Sequence, residues 1–191
     1  MKSSSYGKYP DDFLASFLAC YLTSLPVLLG ALFGMNFLRT RDGSAPRPDL
    51  ICGCVRFDAA HYLQIMREGY SYDPARQSLV AFFPAYPLLA RFVSRTTGLL
   101  PEEAALLTSH AALLGAFVLL ARFVRLRWPE ATAGQRAFVL VVFGLWPMGL
   151  FFRMPYTESL FLCGTLAVLY GMARGWSLLT LAVLAGFVTA V

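Results

Sequence analysis

No charged residue interrupts the 26 positions from Phe13 to Leu38. A helix over that run, at 1.5 Å per residue, outlasts the ~30 Å hydrocarbon core of a bilayer. The run is also longer than the apolar core of a signal peptide, and no clear A-x-A site follows it. It predicts an uncleaved first membrane helix, bent at Pro26, with Gly30 and Gly34 spaced to admit a neighbouring helix. Further apolar runs follow at Ala104–Val124, Ala137–Phe152 (interrupted at Trp146-Pro147), Ser159–Ala173 and Ser177–Val191. Composition agrees. Residues of the set AVILMFWYC make up 58% of the 191 and charged residues only 14%, with mean hydropathy +0.60. A soluble chain of this size has too little interior to hide so much apolar side chain. The expected fold is all-α, a polytopic transmembrane helical bundle of about five spans in a single membrane domain, residues 1–191. The last run reaches Val191 without a polar flank, so this domain is expected to be the N-terminal part of a longer protein.

The net charge of +5 sits mostly between apolar runs. Topology and lipid headgroups account for it more simply than nucleic acid does. Cys52 and Cys54 form an isolated C-x-C without a second ligand pair, so no metal is expected. Four arginines, Arg122, Arg125, Arg127 and Arg136, crowd one short connection and favour placing it in the cytoplasm. The N-terminus then lies inside, and residues 39–103 form an outer loop with short interfacial helices. Within that loop Val80–Val93 holds Pro84 and Pro87 and is too short to span, which suits a segment lying at the interface.

Two polar stretches carry residues with chemistry. In RFDAAHYLQIMREGY, Arg56 to Tyr70, Asp58 suits a helix N-cap and Gly69 a C-terminal stop. The bland reading is a capped interfacial helix. The functional one is a carboxylate at the membrane face that takes a proton from an acceptor hydroxyl. His61, three positions on, shares its helical face and can orient the carboxylate or meet a phosphate. In RMPYTESLF, Arg153 to Phe161, Glu158 opens a membrane helix on the same side, where the helix dipole alone is a sufficient reason for it. Arg153 reads equally well as an interface anchor. His110, inside the second apolar run, is an intramembrane ionisable group with the same two readings.

RFDAAHYLQIMREGY, AFFPAYPLL and PYTESLF, in this order and spacing, resemble the PIG-V-like mannosyltransferases of the GT-C class, which include an enzyme of GPI-anchor assembly and related bacterial proteins. The resemblance covers Val55 to Val191. Phe57 departs from it, since the family usually has Trp there, and members of the family are considerably longer. The resemblance implies a GT-C-like bundle, a lumenal or periplasmic first loop, a polyprenyl-phosphate sugar donor of mannose type, and a lipid-linked or glycan acceptor. It implies Asp58 as general base of an inverting transfer, with Glu158 in support. The leaving phosphate needs cationic stabilisation, for which Arg56, Arg67 and Arg153 are the nearby candidates, and no cofactor is expected. The Ala/Leu/Arg-rich text suggests a bacterial inner membrane, with the endoplasmic reticulum as the eukaryotic counterpart. A transporter or flippase, a non-catalytic membrane subunit and an inactive fragment are the other classes open to such a chain. A transport path would need polar residues spread through several helices, whereas here they gather at one interface.

Overall fold

Helices account for most of the computed structural model, which describes residues 10–41, 54, 55, 57–72, 74 and 78–191. Among these residues there is no strand. The helices are α1 (Pro10–Arg41), α2 (Asp58–Glu68), α3 (Ala85–Thr97), α4 (Pro101–Arg127), α5 (Ala133–Gly144), α6 (Glu158–Arg174) and α7 (Leu178–Thr189). Two 3-10 segments, Leu79–Ala81 and Pro147–Arg153, join them. Cys52 and Arg56 lie outside the described residues.

Local chemistry sets the helix ends. Pro101 opens α4 at a position where its missing N–H costs nothing, and the Glu103 carboxylate accepts the Leu100 N–H at 3.0 Å. Thr132 and Gln135 exchange side-chain and backbone bonds at the start of α5 (3.3 and 2.8 Å), a capping box. Gly98 and Gly175 close α3 and α6 in the left-handed conformation, at φ 76° and 70°.

Two helical stretches, Asp12–Phe33 and Pro101–Arg127, are long and apolar enough to cross a membrane, and α5 and α7 are shorter apolar helices. At 12 residues each, the last two reach only about 18 Å. About five full spans are therefore more than helix length alone supports. Pro26 lies within the 32 residues of α1 without ending the helix. A Cβ added at Gly30 would meet nothing within 4 Å, so among the described residues no helix makes the expected close approach there.

α1 and α4 run antiparallel. Asp12 at the start of one pairs with Arg125 at the end of the other, at 2.6 Å. The most extensive packing joins α4 to α6, and α1 packs on α4 and α5. α7 buries none of its side chains and lies outermost, against α6. The α1–α5 approach is very close: a Cβ on Gly144 would stand 2.2 Å from Thr23 Oγ1.

α6 is shorter than α4. Its 17 residues rise about 25 Å and the 27 of α4 about 40 Å. The Ser109 hydroxyl, eight residues into α4, donates to the Tyr156 carbonyl at 3.3 Å. The start of α6 is thus recessed by about two turns below the start of α4. α2 and α3 fill the space above it. Their buried Ala59, Tyr62, Leu63, Met66, Tyr86 and Ala90 join Ala104, Ala105, Met154, Tyr156 and Leu160 in one apolar core.

The Val80–Val93 stretch is divided just ahead of α3: the 3-10 turn ends at Ala81 and the helix begins at Ala85. Pro84 is the N-cap of α3 and Pro87 lies in its first turn, where few intrahelical N–H bonds are lost. Thirteen residues are too few to span. The helix is two-sided, with Leu88, Leu89 and Phe92 exposed and Tyr86, Pro87 and Ala90 buried.

Candidate functional site

The two polar stretches meet in the recess above α6. The sequence places Asp58 as the cap of α2, but the structure makes it the first helical residue. Phe57 occupies the cap position, at φ 48° and ψ −123°, with no side-chain cap bond. A positive φ on an aromatic residue is strained, and Phe57 holds it with its ring 80% exposed. The Asp58 carboxylate is therefore not spent on capping. Gly69 ends the helix as expected, at φ 87°, its N–H donating to the Ile65 carbonyl at 2.9 Å.

Glu158 stands at the first turn of α6, below α2. Its carboxylate accepts hydrogen bonds from its own backbone N–H and from the Thr157 hydroxyl, and lies within reach of the Asp58 charge. Tyr156, on the same connection, is pushed up to about 12, first by burial and then by the charges of Asp58 and Glu158. Its hydroxyl also lies against the Asp58 backbone. Tyr62, one turn along α2 from Asp58, is raised mainly by burial and bonds Thr157. Asp58, Tyr62, Tyr156 and Glu158 thus share one electrostatic environment, although 100 residues separate the two carboxylates in the chain.

The other expected residues fare differently. His61 shares the exposed side of α2 with Asp58, and its ring packs on Phe82 at 4.9 Å between centroids. Arg67 lies nine residues beyond Asp58, about 13 Å along the helix, and is ion-paired with Glu102. Arg153 is neither an interface anchor nor open to a phosphate. It is 1% exposed. Its Nε donates to Ser24 Oγ (2.8 Å), one terminal nitrogen to the Gly149 carbonyl (2.7 Å), and the other to Thr23 Oγ1 and the Gly144 carbonyl (both 3.0 Å). His110 bonds the Arg153 backbone carbonyl and stacks with Tyr21 at 6.4 Å. Arg153 is therefore a structural knot holding α1, α5 and the segment that leads into Tyr156 and Glu158.

Tyr156 and Tyr86 escaped the sequence reading. The Tyr86 hydroxyl donates to the Ala105 carbonyl (3.0 Å) and shares a bond with Ser109 Oγ (2.9 Å), the same serine that holds the Tyr156 carbonyl. A tyrosine within a run of aromatics carries no periodic mark of such a role. Its place inside the PYTES motif was the available signal. Among the described residues no group of three or more His, Cys, Asp or Glu is placed to hold a metal ion.

Comparison with known proteins bears out the family resemblance. The chain is 33% identical over 133 residues to GPI alpha-1,6-mannosyltransferase 2 of Rattus norvegicus, and 31% identical over 135 residues to its counterpart in Cricetulus griseus. These matches cover 66% and 67% of this chain and 26% of each relative. The chain thus spans about a quarter of the length of the curated relatives it matches. Both are mammalian proteins, and nothing in the comparisons supports the bacterial placement. No family profile and no solved structure matches the chain. The chain is thus similar to mannosyltransferases and carries two helices long and apolar enough to cross a membrane.

Proposed function

We propose that this chain, a relative of the GPI mannosyltransferases, forms part of an integral membrane enzyme of GT-C type. It transfers a mannose-type sugar from a polyprenyl phosphate to a lipid-linked or glycan acceptor, on the outer or lumenal side of the membrane, which in a eukaryotic cell is the endoplasmic reticulum. In this reading about five segments cross the bilayer. α5 together with the 147–153 segment makes one crossing, and α6 and α7 make two more.

The observation that carries the reading is the uncapped Asp58 carboxylate facing Glu158 and Tyr156 in a recess at the end of the bundle. An acceptor hydroxyl seated there would give its proton to Asp58 as it attacks the anomeric carbon from the side opposite the lipid phosphate. Inversion in one displacement needs a single base on the acceptor side. That proton moves late, when the attacking oxygen has become acidic, so a carboxylate at a helix N-terminus is basic enough. Glu158, at the first turn of α6, supports this site by helping to hold the acceptor beside Asp58. The leaving phosphate calls for a cation. With Arg153 consumed internally and Arg67 at the far end of α2, Arg56, two residues before Asp58, is the candidate.

Asp58→Asn tests this in the full-length protein. It keeps the side-chain size and removes the base, and loss of a general base costs about 10²–10⁴ in rate. At equal protein levels, membranes carrying the variant should lose nearly all transfer from polyprenyl-phosphate mannose. Retention of more than about a tenth of wild-type turnover, far above that loss, would remove Asp58 from the role of base.

A further inference from the structure

Away from the recess, at the other end of α2, Arg67, Arg91, Ser94, Arg95, Met66 and Pro101 line a cavity of about 220 Å³. Its charge is unbalanced. Arg67 is ion-paired with Glu102, while Glu103 is engaged with the Leu100 N–H. Glu68, the neighbouring acid on α2, takes a hydrogen bond from Gln64 at 2.9 Å. Ser94 donates to the Leu99 carbonyl at 2.8 Å. Arg91 and Arg95 have no carboxylate partner among the described residues. They sit four apart on one face of α3, a spacing at which like charges repel in a helix. Three guanidinium groups thus line one small cavity, and among the described residues only Arg67 of the three is paired with a carboxylate, Glu102.

The surroundings indicate which anion. Leu88, Leu89 and Phe92 project from the adjacent face of the same helix, and Val80 and Phe83 precede it, all exposed. A short two-sided helix of this kind suits the headgroup boundary, with apolar side chains toward the acyl chains and arginines at phosphate depth. Guanidinium groups bind phosphate oxygens in pairs of parallel bonds. We propose that this cavity binds the phosphate of an anionic phospholipid, whose acyl chains lie along the Leu88–Phe92 face. The site is separated from Asp58 by the length of α2 and does not depend on the transferase reading. Its occupancy would fix α2 and α3 at the membrane surface.

The test is native mass spectrometry of the full-length protein released from detergent micelles doped with phosphatidylglycerol. The wild type should retain one phosphatidylglycerol in preference to phosphatidylcholine, and millimolar inorganic phosphate should not displace it. The double variant Arg91→Gln, Arg95→Gln should retain it roughly tenfold less or weaker, because each basic side chain near a headgroup strengthens binding several-fold. Arg91→Lys should retain most of it, and Arg122→Gln, outside the cavity, all of it. Unchanged retention in the double variant would overturn the proposal. So would equal retention of phosphatidylcholine, or displacement by inorganic phosphate, which would mark a soluble-phosphate site instead.

Discussion

Arg153 illustrates how far a residue's role depends on where its segment turns. At a membrane surface, removing an arginine changes stability by less than about 1 kcal/mol. Here it would empty the space of one of the largest fully buried side chains and take the Arg153 donors from the Gly144 and Gly149 carbonyls, although the Thr23 and Ser24 hydroxyls would keep their bonds to the Ala19 and Cys20 carbonyls; a buried polar group left without a partner costs about 1–3 kcal/mol. Arg153→Ala should therefore lower the melting temperature sharply or prevent folding. Arg153→Lys, with three donors instead of a planar fork, should fall between. Both are read by thermal unfolding in detergent.

Elements are joined through close approach more than through charge. Gly144 lets α5 meet α1 at Thr23, where a Cβ would stand within 2.8 Å of three side-chain atoms. The same glycine offers its carbonyl to Arg153. Gly144→Ala should cost about 1–3 kcal/mol, as overpacking of a tight contact does. It should also disturb the Arg153 bonds, and with them the segment that carries Tyr156 and Glu158. The measurement is again the unfolding midpoint, with Gly134→Ala as the control, because a Cβ there meets only Thr132 Oγ1 at 4.0 Å. α3 was partly legible in the sequence. Its failure to span follows from its length, and its two prolines mark where it begins, since Pro84 caps it and Pro87 sits in its first turn, where a missing N–H is harmless.

For the whole molecule, the Asp12–Arg125 pair sets the start of α1 and the end of α4 at one end of the bundle, and α2, α3 and the carboxylates lie toward the other. Cysteines introduced at Glu68 and Glu130, on a background without the native ones, should react with an impermeant maleimide from opposite faces. Glu68→Cys should label on intact cells or sealed vesicles, and Glu130→Cys only after permeabilisation. The reverse pattern would invert the topology.

The sequence by itself determined the all-helical, lipid-facing class, because long uncharged runs are a one-dimensional property that the bilayer reads directly. It also marked Asp58 and Glu158 as candidates, since two of the three ordered motifs hold them. It did not show that Phe57 takes the cap position and leaves Asp58 free, that Arg153 turns inward, or that Tyr156 lies beside Asp58. Backbone strain, burial and hydrogen-bond partners belong to pairs of segments as much as 130 residues apart. Such pairings exist only once the shorter α6 leaves a recess beside the start of α4 and α2 settles into it.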